Sequence, residues 1–153
     1  MNIFATSKCP MESASYLDDK RVVKMCLETA QLLCTAINEC GGKAPYKSTH
    51  INHPCAIWAR ESINNFLWLW KHGYSLCVVY EKRYKKVHKC TKVLFDIISE
   101  LSVIPEGCLT PFPNCTTHKD EKDVHRAYKM YLSDKWRSDK RKPTWYRRHR
   151  DDA

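Results

Sequence analysis

Glu28 is a carboxylate on the polar strip of an otherwise apolar segment. Lys24 precedes it by one helical turn, and Arg21 and Lys20 by two. Two readings fit that spacing. A Lys–Glu pair four residues apart on a solvated face contributes only about 0.2–0.5 kcal/mol. A carboxylate held on a rigid helix inside a basic cleft can instead stabilise a developing cation and move protons. His50 and His53 stand just before Pro54, whose fixed φ suits the first position of a helix. The exposed amides at such a start attract phosphate, and His53 would orient that phosphate or a nucleoside sugar. A capping or packed histidine is the plainer alternative. Trp58 and Trp68 share a face with Arg60, Asn64 and Lys71. They form either a base-stacking platform or core packing against another helix. Lys82, Arg83, Lys85, Lys86 and Lys89 form either a phosphate-tracking face or a solvated one.

These residues need helices to position them. Ser13 or Ser15 can cap a helix running to about Cys40, with residues 1–12 extended or irregular. On its wheel Lys20, Arg21, Lys24, Glu28, Gln31, Thr35, Asn38 and Glu39 fall within an arc of roughly 100°. Val22, Val23, Met25, Cys26, Leu27, Ala30, Leu32, Leu33, Ala36 and Ile37 fill the remainder. So wide an apolar arc predicts a central helix covered on most sides, and Gly41-Gly42 ends it. A second helix is expected from Pro54 to about His72, with Gly73 as a break or bend, then helix again over 74–86 and 87–103. Pro105, Gly107, Pro111 and Pro113 mark 104–119 as loop. The last helix runs from about Asp120 to Trp136. The pattern predicts an all-α, compact single-domain bundle of four or five helices spanning 1–153.

The length of 153 residues suits one core. Hydrophobic and charged fractions of 43% and 28% exclude wholesale disorder. No apolar run approaches the roughly 20 residues of a membrane span, and the start lacks a secretory pattern. Nine cysteines without any Cys-x-x-Cys read as reduced intracellular thiols, and no local spacing supports a metal site. No cofactor motif is present: Gly-x-Gly-x-x-Gly, phosphate-loop, Gly-x-Ser-x-Gly and His-Glu-x-x-His patterns are all missing. The net charge of +9 is concentrated at the end. Residues 135–153 hold eight basic and three acidic side chains, with Trp136, Trp145 and Tyr146 interleaved. Cations for phosphates and rings for bases make this basic aromatic segment a candidate nucleic-acid contact.

Asp19-Lys20-Arg21-Val22-Val23-Lys24-Met25-Cys26-Leu27-Glu28 resembles the first long helix of the small pyrimidine-dimer DNA glycosylases of phages, the endonuclease V type. In that family a catalytic glutamate follows an Asp by nine residues, as Glu28 follows Asp19. The family's basic ending is matched by Lys142-Pro143-Thr144-Trp145-Tyr146-Arg147. The start Met1-Asn2-Ile3-Phe4 and the run Thr49-His50-Ile51-Asn52-His53-Pro54 also resemble a group of small phage proteins. There are departures. Arg21 stands where the family has His, and Leu27 where it has Arg. The family's nucleophile is the α-amine of a Thr exposed by removal of Met, whereas residue 2 here is Asn2. The resemblance then implies the α-amine of Met1 or Asn2 as nucleophile and Glu28 as its carboxylate. It further implies Arg21, Lys24, Trp145, Tyr146, Arg147 and Arg148 as contacts to DNA, to which the helix-start position of His50 and His53 and the face shared by Arg60 with the tryptophans add those three residues.

The leading expectation is a base-excision enzyme for damaged or modified pyrimidines in double-stranded DNA, with lyase activity through an N-terminal imine. It would act without cofactor or metal, as a monomer, away from membranes, in the cytoplasm of an infected cell. A second expectation is an enzyme attaching an amine or amino acid to an activated hydroxymethyl base of phage DNA. A third is a non-catalytic nucleic-acid-binding protein.

Overall fold

The computed structural model describes residues 1–145, and these are all-α. Six α-helices follow in order: α1 (Pro10–Tyr16), α2 (Asp19–Glu39), α3 (Pro54–Glu61), α4 (Ile63–Tyr84), α5 (Cys90–Asp96) and α6 (Val124–Ser138). A 3-10 helix, Ile97–Val103, extends α5. Among the described residues no helix is long and apolar enough to cross a membrane.

The wide apolar arc of α2 does what its width requires. The helix packs against α3, α4, α5 and the 3-10 helix, and Leu32, Leu33, Cys34, Ala36 and Ile37 are fully buried. Its edges differ from the wheel. Val23 lies exposed, while Thr35 is buried and exchanges hydrogen bonds with the backbone of Thr49.

Helix boundaries differ where tertiary contacts outweigh local pattern. The helix expected from Ser13 or Ser15 to Cys40 is two helices, broken at Leu17 and Asp18. The buried Arg83 guanidinium donates to the carbonyls of Leu17 and Ser15 and to the Asp19 carboxylate, which fixes the break. Arg83 is therefore not a solvated cation. The helix expected from Pro54 to His72 is interrupted at Ser62. That residue is extended, and its hydroxyl caps α4 by accepting from Asn65 N. Gly73 does not break α4. A Cβ there would meet Thr29 Cγ2 at 2.9 Å, so the missing side chain lets α4 approach α2 closely. Trp58 and Trp68 are core residues, edge to face, with indole N–H groups on the carbonyls of Thr110 and Lys8.

His72 gives the fold an acid sensitivity. It is fully buried and stacked on Trp68, with Nδ1 at 3.0 Å from Pro10 O and Nε2 without a hydrogen-bond partner. Protonation would bury a cation and an unmatched N–H. Burial accordingly pushes its pKa down to about 4, the Pro10 carbonyl opposing. The unfolded chain then binds more protons than the folded one between pH 6.5 and 4. Stability falls with pH across that window, by up to about 3 kcal/mol, and the loss is complete below about pH 4. His53 and His88, also held below their ordinary values, add in the same direction. Urea unfolding at pH 7.5 and pH 4.5 should show this drop, and His72→Gln should flatten it. An unchanged slope in the variant would remove His72 as the cause.

Residues 1–6 run as an irregular extended segment through the core. Ile3 and Ala5 are fully buried, and Phe4 and Thr6 nearly so. Helix α6 closes over this segment. Phe4 stacks with Tyr131, and His125 Nδ1 lies 2.7 Å from Ala5 O. The end of the described chain docks at the α1–α2 junction. Asp19 N donates to Thr144 O, Thr144 Oγ1 to the Asp19 carboxylate, and Trp145 Nε1 to Tyr16 O.

Candidate active site

Successive turns of α2 bring Lys20, Arg21, Lys24 and Glu28 to one face. The N-terminal segment crosses that face, and α6 supplies the opposite wall. Between them lies a cavity of about 370 Å³, lined by those four residues and by Met1, Asn2, Phe4, Met25, Tyr131 and Lys135. That volume falls within the roughly 300–1,000 Å³ typical of ligand sites. Its charge is lopsided: four cationic side chains and the Met1 ammonium surround one carboxylate.

The Met1 α-amine lies 3.7 Å from Glu28 Oε1. The Met1 side chain is 2% exposed and that of Glu28 17%, so the pair is largely shielded. Lys24, one turn back, is not the partner that its spacing suggested. The amine is held by the residues that follow it. Asn2 Oδ1 accepts from the amides of Ile3 (2.7 Å) and Phe4 (2.9 Å), and Asn2 Nδ2 donates to Cys115 O at 3.0 Å. Phe4 adopts a left-handed φ of 42°, which is costly for an aromatic residue and turns the chain beneath Tyr131.

Arg21 lines the cavity but is already engaged. Its guanidinium donates to both Asp18 and Asp139. Hydrogen bonding from Arg21 holds the Asp139 carboxyl below its usual range. Lys20, with 74% of its side chain exposed, is a more available cation. Lys135 reaches over the Tyr131 ring at 4.6 Å. Sequence reasoning placed Lys20 on the polar arc of α2 and Lys135 in the basic C-terminal segment, whereas Tyr131 lies more than 100 residues from Glu28 and gave no local signal.

His53 caps α3, its Nδ1 accepting from Cys55 N. Burial, then the Met1 ammonium and His50, push its pKa below the ordinary value, while Glu28 pulls the other way. His53 thus stands within electrostatic reach of the pair at the cavity floor. His50 is exposed, with a left-handed φ of 49°, and its carbonyl accepts from His53 N. Arg60 is not brought to the cavity. It donates to Ile51 O, and its charge acts on Cys40, about 18 Å along α2 from Glu28. Trp145 packs edge to face on Trp136 beside the start of α2. Tyr146, Arg147 and Arg148 lie outside the described residues.

An amine and a carboxylate this close, in a cationic pocket, can share one electrophilic carbon. In such an arrangement an amine can attack while a carboxylate faces the positive charge that develops.

A family model described as pyrimidine dimer DNA glycosylase matches residues 1–92, more than half of the chain. The match takes in Met1, α1 to α4 and Glu28, and stops before the α6 wall. No curated protein and no solved structure matches.

Proposed function

The chain belongs to the pyrimidine dimer DNA glycosylase family, and from that premise we propose that it excises a damaged or modified pyrimidine from double-stranded DNA with the Met1 α-amine as nucleophile. The neutral amine attacks the sugar C1′ as the bond to the base breaks and the base leaves with the bonding electrons. Glu28 faces the cationic sugar during departure and then handles protons. Opening of the sugar ring gives an imine between Met1 and C1′. Removal of a proton from C2′ expels the 3′ phosphate by β-elimination, and hydrolysis of the imine frees the amine.

The observation that carries this reading is the 3.7 Å separation of amine and carboxylate inside the cationic cavity. Lys20, Lys24 and Lys135 are suited to hold phosphates around an extruded nucleotide, a function independent of base identity. Extrusion costs a few kcal/mol and is cheapest where damage has already weakened stacking, which favours a lesion over an intact base.

Borohydride reduces an imine to a stable amine. Incubation with ultraviolet-irradiated or abasic duplex and borohydride should leave a covalent protein–DNA adduct, attached at Met1 by peptide mass spectrometry. A protein that binds these duplexes without forming any adduct would sink the proposal.

A further inference from the structure

Behind the N-terminal segment lies a group of side chains that the proposed excision does not use. Among the described residues, His53, Cys55 and Cys115 are the one set of three or more metal-ligating side chains whose donor atoms converge, all within 4.8 Å of one another. The thiol sulfurs of Cys55 and Cys115 are 3.3 Å apart, though 60 residues separate them in sequence.

The geometry points to a binding site for one thiophilic divalent ion of the zinc class, held by His53, Cys55 and Cys115 beside the proposed nucleophile. Bond lengths support this. Zinc lies about 2.3 Å from a thiolate sulfur and 2.0–2.1 Å from an imidazole nitrogen. Sulfurs 3.3 Å apart at that bond length subtend roughly 92° at the ion, and opening them to about 3.8 Å gives the tetrahedral angle. For the two sulfurs the required movement is about half an ångström, and a sulfur–nitrogen pair as far as 4.8 Å apart must close by about 1 Å to reach the roughly 3.6 Å of a tetrahedral site. Zinc binding by the two thiols releases their protons to solvent, with no change of oxidation state.

The ligands are anchored on both sides. His53 and Cys55 flank Pro54 at the start of α3, and Cys55 is fully buried. Cys115 is anchored through its own backbone: its amide donates to the hydroxyl of the fully buried Tyr128, and its carbonyl accepts from Asn2. Three protein ligands leave one tetrahedral position for water or another small ligand, the arrangement of an open zinc site rather than a closed one. Because Asn2 bridges Cys115 to the amides of residues 3 and 4, the ion would also brace the segment that holds Met1.

Cobalt(II) is the probe, because tetrahedral cobalt–thiolate sites absorb in the near ultraviolet and visible. Titration of the full chain without DNA keeps this test separate from the proposed excision. The expected result is one equivalent bound, with a thiolate charge-transfer band, displaced by zinc(II). Cys108→Ser, which alters an exposed cysteine, should titrate as the unaltered chain does. Cys115→Ser should lose affinity by more than the roughly 10–100-fold that a lost partner of a ligand costs. His53→Asn should do the same while keeping a side-chain acceptor for the α3 cap, and circular dichroism verifies the fold of each. Absence of the tetrahedral spectrum in the unaltered chain overturns the site. So does an undiminished spectrum in both ligand variants, or a Cys55–Cys115 disulfide in protein kept under reducing conditions.

Discussion

Glu28→Gln is expected to cut base excision by roughly 10³-fold or more while leaving DNA affinity intact. The substitution keeps the shape of the side chain and removes only its charge and basicity. The charge is what faces the sugar as the base departs, and the basicity is what takes and returns protons in the elimination. Neither contributes to holding phosphate. Lys20, Lys24 and Lys135 stay where they are, and the cavity becomes one charge more positive, so binding should hold or tighten slightly. The structural cost exceeds that of a surface pair, because removing one partner of a buried ion pair costs up to about 3–5 kcal/mol, and this pair is largely shielded. Single-turnover cleavage of ultraviolet-irradiated duplex, with anisotropy for binding and a melting curve for stability, separates the three effects. Retained excision would remove Glu28 from the chemistry. Loss of binding together with activity would make it a structural residue.

How far the site was legible from sequence depended on how local each part is. Glu28 stood out because a polar strip on so apolar a helix is visible from spacing alone. The cap and first proline of α3 were legible for the same reason: His53 and Pro54 act within one turn. The partner of Glu28 was not legible from its neighbours, since the four-residue spacing to Lys24 suggests a pair that the fold does not use. Only the likeness to a known family brought in the amine. What delivers it is a clamp from Asn2 to Cys115, across 113 residues, which no periodicity encodes. Arg83 and Gly73 show the same limit. A basic residue in a cationic run reads as solvated until a distant helix break needs its guanidinium. A glycine in a helix reads as a hinge until a neighbouring helix needs its empty Cβ. Trp145, expected as a DNA contact, donates its indole N–H to Tyr16 O, 129 residues away, an anchoring that no local pattern shows.

Acetylation of the Met1 α-amine should abolish both adduct trapping and strand cleavage, with an effect at least as large as that of Glu28→Gln. An amide nitrogen has no available lone pair, so it can neither attack C1′ nor form an imine. Nor can a surface lysine take over, because none is held 3.7 Å from Glu28 by a buried clamp. Position matters as much as basicity. Removal of Met1 would transfer the free amine to residue 2, displacing it by about 3.8 Å along the chain. There it would sit on the residue whose side chain holds the amides of Ile3 and Phe4, one residue removed from the position that meets Glu28. Active protein should therefore show an intact mass that includes Met1, and the trapped peptide should begin with it. Chain lacking Met1 that still trapped at full rate would transfer the role to Asn2. Acetylated protein that still trapped would end the N-terminal mechanism, because the electrophile would then have been captured by some other nitrogen. DNA affinity should change little in the acetylated form, since four cationic side chains still line the cavity after one positive charge is lost. That pairing of unaltered binding with lost chemistry distinguishes a nucleophile from an anchoring charge.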